Sequence, residues 1–261
     1  LIEDVNYGDV TTDNLLSESE MSNGKFIAKE YGVIAGIDVL KRVFEIVDSD
    51  IKFKSELKDG CEVQKGSIIG EIDGSSKSIL KGERAALNII QRMSGIATKT
   101  HEIVNLVKDY DVKIVDTRKT LPGFRILDKY SVTVGGGYNH RMNLSDFAMI
   151  KDNHIKAVGS IKEAVKRIKG KLSFTTKIEV EVENLEQLKE AMSAEVDVIM
   201  LDNMDIHTME KAVKMVNKKF ILEASGNVTE NNIKNIAATG VDIISIGALT
   251  HSVKALDISL K

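Results

Sequence analysis

Cationic and imidazole side chains concentrate in residues 113–154, although the chain as a whole has a net charge of −3. Two apolar runs in this stretch end in the motifs DTRK and KDNH, and the triplet NHR follows three consecutive glycines between them. Arginine offers a planar fork that pairs with carboxylates or phosphates, and lysine supplies a compact charge. The spacing therefore predicts a pocket for a small ligand with several negative charges. The side chains concerned are Arg118, Lys119, His140, Arg141 and Lys151.

A pair of carboxylates lies at the ends of the next two predicted strands. Alternation in the run EVEV places Glu179 and Glu181 on one face, and Asp202 ends the following strand. Glu181 and Asp202 could hold a divalent cation such as Mg²⁺, which accepts one or two carboxylates and fills its shell with water and phosphate oxygens. On spacing alone, the two acids could instead neutralise the nearby lysines.

Glycine-containing loops follow the last two predicted strands. Ser225, Gly226 and Asn227 precede a helix that is predicted to start near Thr229, and Gly247 lies just after the final strand. Backbone N–H groups at such helix starts bind phosphate, and late loops of α/β barrels often do so. Plain helix capping is the competing interpretation of both loops.

Strand-like and helix-like patterns alternate along the C-terminal part of the chain. This order is typical of parallel βα units, which form either an α/β barrel or an open doubly wound sheet. Polar residues or glycine follow almost every strand, as in a barrel with its site at one mouth, and no GxGxxG follows the first strand. The predicted strands are 113–116, 147–150, 178–182, 197–201, 220–224 and 242–246, and the predicted helices are 160–169, 184–193, 206–217 and 229–239.

The N-terminal part has a different pattern. Residues 25–80 contain short β runs interrupted by glycine, which indicates a small sandwich with a helix over 38–47. The run faintly resembles biotinyl or lipoyl carrier domains, with Lys77 as the lysine to be modified, but Lys77 lacks the flanking residues of such a hairpin. A structural sandwich is therefore favoured. The pattern of residues 82–108 predicts one long helix with a bend at Gly95, where glycine would permit close packing.

Composition excludes several classes of protein. The single cysteine, Cys61, rules out an internal disulfide framework and fits a reducing cytoplasm. No apolar run is long enough to span a membrane, and no signal peptide is expected, although the start at Leu1 suggests that a short segment precedes it. A net-acidic chain without tryptophan argues against nucleic-acid binding. His140 and His154 lack metal-ligand spacing.

Taken in order, the motifs resemble the quinolinate phosphoribosyltransferases over essentially the whole chain. The similar stretches are EDVNYGDVTT, GERAALNIIQRMSGIATKT, DTRKTLPGFRILDKYSVTVGGGYNHRMNLSDFAMIKDNH, EVEVEN, LDN, EASGNV and SIGALTHS. The resemblance implies a type II phosphoribosyltransferase that joins quinolinate to 5-phosphoribosyl-1-diphosphate with the help of Mg²⁺. Diphosphate and CO₂ would leave, and nicotinate mononucleotide would form for NAD synthesis in the cytoplasm.

The resemblance also implies a domain organisation. An N-terminal α/β sandwich domain would cover residues 1–110, and an incomplete α/β barrel would cover residues 111–250. A C-terminal helix over 251–261 would return to the N-terminal domain. The family forms an obligate homodimer in which the partner's sandwich domain completes each barrel mouth, so Arg84 would reach the site of the neighbouring chain.

Site roles follow from the same resemblance, residue by residue. The quinolinate pocket would contain Arg118, His140, Arg141 and Lys151, with Thr117 and Lys119 beside the substrates. Lys119, Lys151, Glu181 and Asp202 would carry the catalysis, and the last two would lie near the ribose and Mg²⁺. The 5-phosphate loops would be Ser225, Gly226 and Asn227, and Gly247, Ala248 and Leu249.

Three alternatives remain at this stage. A ModD-like paralogue shares the fold and much of the TRKT and HR pattern, although the intact NHR and KDNH motifs favour the quinolinate enzyme. A non-catalytic ligand-binding barrel would have no need of the acidic pair. Finally, Lys151 at a strand end could form a Schiff base, as in barrel aldolases, or act only as a charge clamp.

Overall fold

The computed structural model describes residues 1–261, which form two compact units. The first unit contains 1–101, 126–136 and 252–261, and the second contains 102–125 and 137–251. In chain order, the elements are α1 (Thr12–Leu15), β1 (Met21–Ala28), β2 (Gly32–Val33), α2 (Ile37–Val47), β3 (Lys52–Lys54), β4 (Glu62–Val63), β5 (Ile68–Ser75), α3 (Ser76–Leu106), β6 (Lys113–Val115), α4 (Arg125–Val134), β7 (Ala148–Ile150), α5 (Asp152–Val158), α6 (Ile161–Lys169), β8 (Ile178–Val182), α7 (Leu185–Met192), β9 (Val198–Asp202), α8 (Ile206–Val216), β10 (Ile221–Ser225), α9 (Ile233–Ala238), β11 (Ile243–Ser245), α10 (Ala248–His251) and β12 (Ile258–Leu260).

An antiparallel sheet with the order β12-β1-β5-β3 forms the centre of the first unit, and β2 pairs separately with β4. Its core joins β1, α2, β5 and α3, and the rings of Phe26 and Phe44 lie 5.9 Å apart within it. Both rings are fully buried. Burial of large apolar side chains from sheet and helices is the main favourable contribution to folding of this unit.

The prediction of a C-terminal helix over 251–261 is wrong. Only α10 ends in this region, and the chain then forms β12, which pairs antiparallel with β1. Leu256 and Ile258 are buried, with Asp257 exposed between them, so the period is that of a strand rather than a helix. Pairing with β1 also satisfies backbone groups that an edge strand would otherwise leave open.

Lys77 does not sit on a hairpin, so the carrier-domain alternative is wrong. It lies in the first turn of α3, and its Nζ donates a hydrogen bond of 2.8 Å to Glu18. α3 continues unbroken through Gly95 to Leu106. None of the helices has both the length and the apolar character needed to cross a membrane.

α4 belongs to the first unit, so the observed division of the chain differs from the single boundary that was expected after residue 110. The reason is that α4 pairs through polar side chains with two segments that lie far away in the sequence. The Arg92 guanidinium on α3 donates two hydrogen bonds of 2.8 Å to the buried carboxylate of Asp128, and the Tyr130 hydroxyl donates one of 2.8 Å to Asp59. A bidentate arginine–carboxylate pair is geometrically specific, so it fixes the helix in this position.

Six parallel strands with the order β6-β11-β10-β9-β8-β7 form the second unit. The sheet leaves β6 and β7 at its two edges and has helices between successive strands, which is the incomplete α/β barrel that was predicted. All six predicted strands and four predicted helices are present. Strand pairing places Asp202 beside Ser225 and Val115 beside Ser245, so the carboxyl ends of neighbouring strands lie level.

We predict that Gly95→Ala lowers the free energy of unfolding by about 2 kcal/mol, as overpacking does. A Cβ at this position would overlap the carbonyl oxygen of Lys254, and backbone cannot move aside as a side chain can. Chemical denaturation provides the measurement. Gly170→Ala is the matched control, because Gly170 has an ordinary φ of −68° and open space around it. Equal stability of both variants would contradict the packing argument.

Candidate active site

A cavity of about 380 Å³ lies at the carboxyl ends of the parallel strands in the second unit. Each strand of the sheet contributes to the lining, either directly or through the residues that follow it. The cavity therefore lies where an α/β barrel places its site. Most of the predicted site residues that lie close to strand ends are brought together here. The lining residues are Thr117, Arg118, Lys119, His140, Arg141, Met149, Lys151, Glu181, Met200, Asp202, Asn203, Glu223, Ser225 and Ser245.

Arg141 is the most deeply buried cation of the cavity, with 8% of its surface exposed. Its guanidinium lies 5.6 Å from the centre of the Phe147 ring and donates a hydrogen bond of 3.4 Å to the Phe147 carbonyl. Burial lowers the pKa of Arg141, and the charge of Arg118 lowers it further. Two guanidinium groups that repel each other in a cavity are stabilised when an anion lies between them.

Lys151 lies immediately before α5, and its Nζ donates a hydrogen bond of 2.5 Å to Glu181 Oε2. Its backbone N–H donates to Nδ1 of His154 at 3.0 Å, so His154 caps the helix and fixes the position of Lys151. Because the ammonium is engaged by a carboxylate, the geometry favours a charge clamp over a Schiff-base lysine. Asp202 lies one strand further, where its Oδ2 accepts a hydrogen bond of 2.9 Å from Asn203.

A second group of charges lies deeper, and only one of its members, His140, was predicted as a site residue. Nε2 of His140 lies 3.4 Å from Glu179 Oε2 and 3.3 Å from Glu223 Oε2. Both glutamates are buried, and Oε1 of each has no hydrogen-bond partner. Glu179 was noticed for its strand face, whereas Glu223 was missed. The sequence does contain an indication of its role, because Glu223 stands between apolar neighbours in the run ILEAS. Burying a charged side chain there is unfavourable unless a partner pairs with it.

Proton affinity within this group is shifted strongly. Burial alone would lower the pKa of His140, but hydrogen bonds with Glu179 and Glu223 outweigh it and raise that pKa to about 9. Burial raises the pKa of Glu179, while the hydrogen bond with His140 lowers it, and the net direction is upward. His140 is also held by its backbone N–H, which donates a hydrogen bond of 2.8 Å to the buried Asp116.

The same three side chains have the composition of a metal site, but their hydrogen bonding does not fit one. Nδ1 of His140 accepts the backbone N–H of Arg141 at 2.9 Å. A neutral ring with a lone pair on Nδ1 carries its proton on Nε2, and that nitrogen faces Glu179 and Glu223. Ligation through Nε2 would require removal of that proton. The group is therefore a hydrogen-bonded cluster of charges.

Tight turns shape the two glycine loops. Gly226 has a φ of +98°, and a Cβ there would overlap the side-chain amide of Asn203. Asn227 donates a hydrogen bond of 3.0 Å to that same amide, so this loop is tied to the end of β9. In the second loop, a Cβ on Gly247 would meet the side chain of Lys119 at 3.0 Å.

Several predicted site residues do not line the cavity. Ser225 does, but the backbone positions that follow it lie outside the lining, and Leu249 is buried with 2% of its surface exposed. Arg84 is exposed on α3 in the first unit. The residues outside the lining are Arg84, Gly226, Asn227, Gly247, Ala248 and Leu249.

A larger cavity of about 770 Å³ lies in the first unit, between α2, β3 and β5. Its charged side chains are of both signs, and Glu71 already pairs with Lys25 at 2.8 Å. The smaller cavity collects perturbed pKa values and cations, and such groups cluster at functional sites. The fold and this cavity thus define an α/β-barrel protein with a cation-rich cavity at the carboxyl ends of its strands.

Comparison with known proteins identifies the family. The pattern of the quinolinate phosphoribosyl transferase C-terminal domain matches residues 96–261, and that of the N-terminal domain matches residues 9–94. The chain therefore belongs to the quinolinate phosphoribosyltransferase family.

Individual relatives are similar to this chain over nearly its full length. A Bacillus subtilis protein named probable nicotinate-nucleotide pyrophosphorylase (carboxylating) is 45% identical, across 99% of this chain and 89% of the relative. Nicotinate-nucleotide pyrophosphorylase (carboxylating) of Arabidopsis thaliana is 43% identical, across 100% of this chain and 80% of the relative. The crystal structure of nicotinate-nucleotide pyrophosphorylase from Ehrlichia chaffeensis is 43% identical and superimposes with a TM-score of 0.96, across 100% of this chain and 94% of that chain.

We predict that Gly226→Ala weakens the binding of diphosphate about tenfold, which corresponds to about 1.4 kcal/mol. The added Cβ must displace Asn203 and with it the contact to Asp202, one of the two acids predicted to hold the Mg²⁺ that accompanies diphosphate. Calorimetric titration with diphosphate in the presence of Mg²⁺ provides the measurement.

The matched control for this variant is Gly159→Ala. Gly159 also has a φ of +98°, but its surroundings within 4 Å are open, so the two substitutions share their backbone strain. A comparable loss of diphosphate affinity in both variants would show that strain alone is responsible.

Proposed function

We propose that this chain converts quinolinate and 5-phosphoribosyl-1-diphosphate to nicotinate mononucleotide, diphosphate and CO₂. The observation that carries the proposal is one cavity in which Arg118, Arg141 and Lys151 meet the carboxylates of Glu181 and Asp202. Cations suit the two carboxylates of quinolinate, and the acids suit a ribosyl centre that becomes positive. A simple anion-binding protein would need only the cations.

Quinolinate is assigned to the cationic side of the cavity. Arg141, fixed by Phe147, presents a rigid fork, and Arg118 lies near enough to lower its pKa. One carboxylate between these guanidinium groups would relieve their repulsion, and Lys151 would face the other carboxylate. Thr117 and Lys119 follow β6 at the same edge of the cavity. The ring nitrogen would then face the acidic side.

The phosphoribosyl group is assigned to the acidic side and the glycine loops. Ser225 lines the cavity, and Gly226 and Asn227 continue into a turn whose N–H groups suit a phosphate. Glu181 and Asp202 end neighbouring strands and offer oxygen ligands of the kind that Mg²⁺ prefers, so they would hold the ion directly or through water. Bound Mg²⁺ would neutralise the diphosphate.

The chemistry then follows from electrostatics. When the bond from ribose C1 to diphosphate breaks, the carbon becomes cationic, and Glu181 and Asp202 would stabilise that charge. The pyridine nitrogen attacks C1 and becomes quaternary. The positive nitrogen can accept the electron pair that is left when the C2 carboxylate departs as CO₂, and a proton then takes its place. Lys119 and Lys151 would balance the negative charge of the phosphates and of quinolinate.

Arg84 is assigned to the site of a partner subunit. It is exposed on α3, the family resemblance predicts a role for it in quinolinate binding, and in this chain it is not part of the cavity lining. A homodimer in which each chain completes the site of the other would reconcile these observations.

The first test is turnover with purified protein, phosphoribosyl diphosphate and Mg²⁺, with quinolinate and nicotinate as parallel substrates. We expect nicotinate mononucleotide and CO₂ from quinolinate and no product from nicotinate. Product from neither substrate, with folded protein, would overturn the proposal and favour a ModD-like paralogue. A loss of turnover with a chelator that is restored by Mg²⁺ would support the assignment of the metal.

We predict that Arg118→Ala and Lys151→Ala each lower kcat/KM more than about 100-fold, on the order of 3 kcal/mol of transition-state stabilisation. Each removes a cation that faces a substrate carboxylate. Steady-state kinetics with quinolinate provides the measurement. Lys156→Ala is the control, because Lys156 pairs with Asp152 on the exposed face of α5. Losses below tenfold would contradict the assigned roles.

Mixed dimers test the role of Arg84. Arg84→Ala and Lys151→Ala should each be nearly inactive, whereas refolding them together in equal amounts should restore about a quarter of wild-type activity. Half of the dimers would be mixed, and one of their two sites would carry neither substitution. Activity that stays at the level of the single variants would show that Arg84 does not act across an interface.

A further inference from the structure

Two buried carboxylates, one that lines the cavity assigned to a dianion and one beneath it, need an explanation. Glu179 and Glu223 would repel quinolinate, and each leaves one oxygen without a partner. Their second oxygens both point to the same atom, Nε2 of His140. Because burying a charge is unfavourable unless it is paired, we conclude that these acids act on the histidine rather than on the substrate.

We propose that Glu223 is a positioning residue for quinolinate binding, which acts through His140 by holding its imidazole as a cation at the floor of the cavity. The inference rests on the proposed function. Glu223 begins the motif EASGNV but has no role in the assignments above, and the inference gives this buried acid a role in substrate affinity.

Two contacts of the His140 ring support this role. His140 Nε2 lies between two acceptors at 3.3 and 3.4 Å, and the ring packs against Phe147 at a centroid distance of 5.2 Å. A second proton can enter the ring only at Nδ1, so the cationic form requires that the Arg141 N–H gives up its hydrogen bond to that atom. Once protonated, Nδ1 becomes a donor, and the ring gains a positive charge beside Arg141. Both changes favour a bound carboxylate.

The charges around His140 come from four elements. Asp116 follows β6 and accepts the His140 backbone N–H, while Glu179 and Glu223 lie on β8 and β10. Arg141 follows in the chain, and Arg118 lies close to it. The three acids outweigh the two guanidinium groups, in agreement with a His140 pKa of about 9. Quinolinate affinity should therefore fall as the pH rises through about 9.

The decisive variant is Glu223→Gln, which keeps the shape of the side chain but removes its charge. We expect the pH at which His140 titrates, followed by NMR of the imidazole nitrogens, to fall by about one unit or more. At pH 9, where a fall of one unit lowers the protonated fraction of His140 from about one half to about one tenth, the KM for quinolinate should rise about fivefold, while the KM for phosphoribosyl diphosphate changes less than about threefold. The pH above which quinolinate affinity is lost should move downward by the same amount as the titration.

Glu223 is a cleaner test than Glu179, because Glu179 shares its strand with Glu181. His140→Asn assigns the NMR signals, and Glu210→Gln on the exposed face of α8 controls for the loss of one negative charge. Thermal unfolding establishes that each variant is folded. Glu179→Gln provides a second measurement if Glu223→Gln does not fold.

An unchanged His140 titration in folded Glu223→Gln would overturn the inference, and so would an unchanged KM for quinolinate. An equal rise of both KM values would indicate general distortion and would overturn it too. Failure of the proposed function is distinguishable, because wild-type protein would then show no turnover, whereas the NMR titration of His140 in both proteins would still be measurable.

Discussion

Parallel pairing of the six strands is the constraint on which the site depends. Register brings Asp202 beside Ser225 and Val115 beside Ser245, so side chains from distant parts of the sequence meet at one edge of the sheet. No two of the strands are joined by a hairpin, and each returns through a helix or loop. The loops that carry chemistry can therefore vary while the apolar strands keep their positions, which is the general property of α/β barrels.

The cations of the cavity are partly balanced by groups of the protein itself. Two of the cations assigned to the substrate are held by interactions that leave charge available for it: Arg141 by Phe147, and Lys151 by Glu181. His140 is held by two acids and by the backbone around Asp116. Preorganised charges of this kind need little rearrangement when charge develops in the reaction, which is how electrostatic stabilisation becomes effective.

Sequence reasoning succeeded where the signal was periodic or local. The strands of the second unit and the placement of Lys151 and Asp202 at strand ends follow from apolar runs and the residues behind them. It missed the last strand although Leu256, Asp257 and Ile258 alternate locally as in a strand, and only the structure shows that this strand pairs with β1. It also failed for α4, which belongs to the first unit because Asp128 pairs with Arg92, a residue far away in the sequence.

The cavity shows the same division at the level of single residues. The sequence by itself determined the fold class, the family and the set of cations and acids at the strand ends, because these depend on residue type and spacing along the chain. Only the tertiary structure decided that Glu223 and Glu179 converge on His140, that Arg118 lies close to Arg141, and that Leu249 is a core residue. Those outcomes depend on which strands become neighbours and at what register, and burial then changes the proton affinities of the groups that meet.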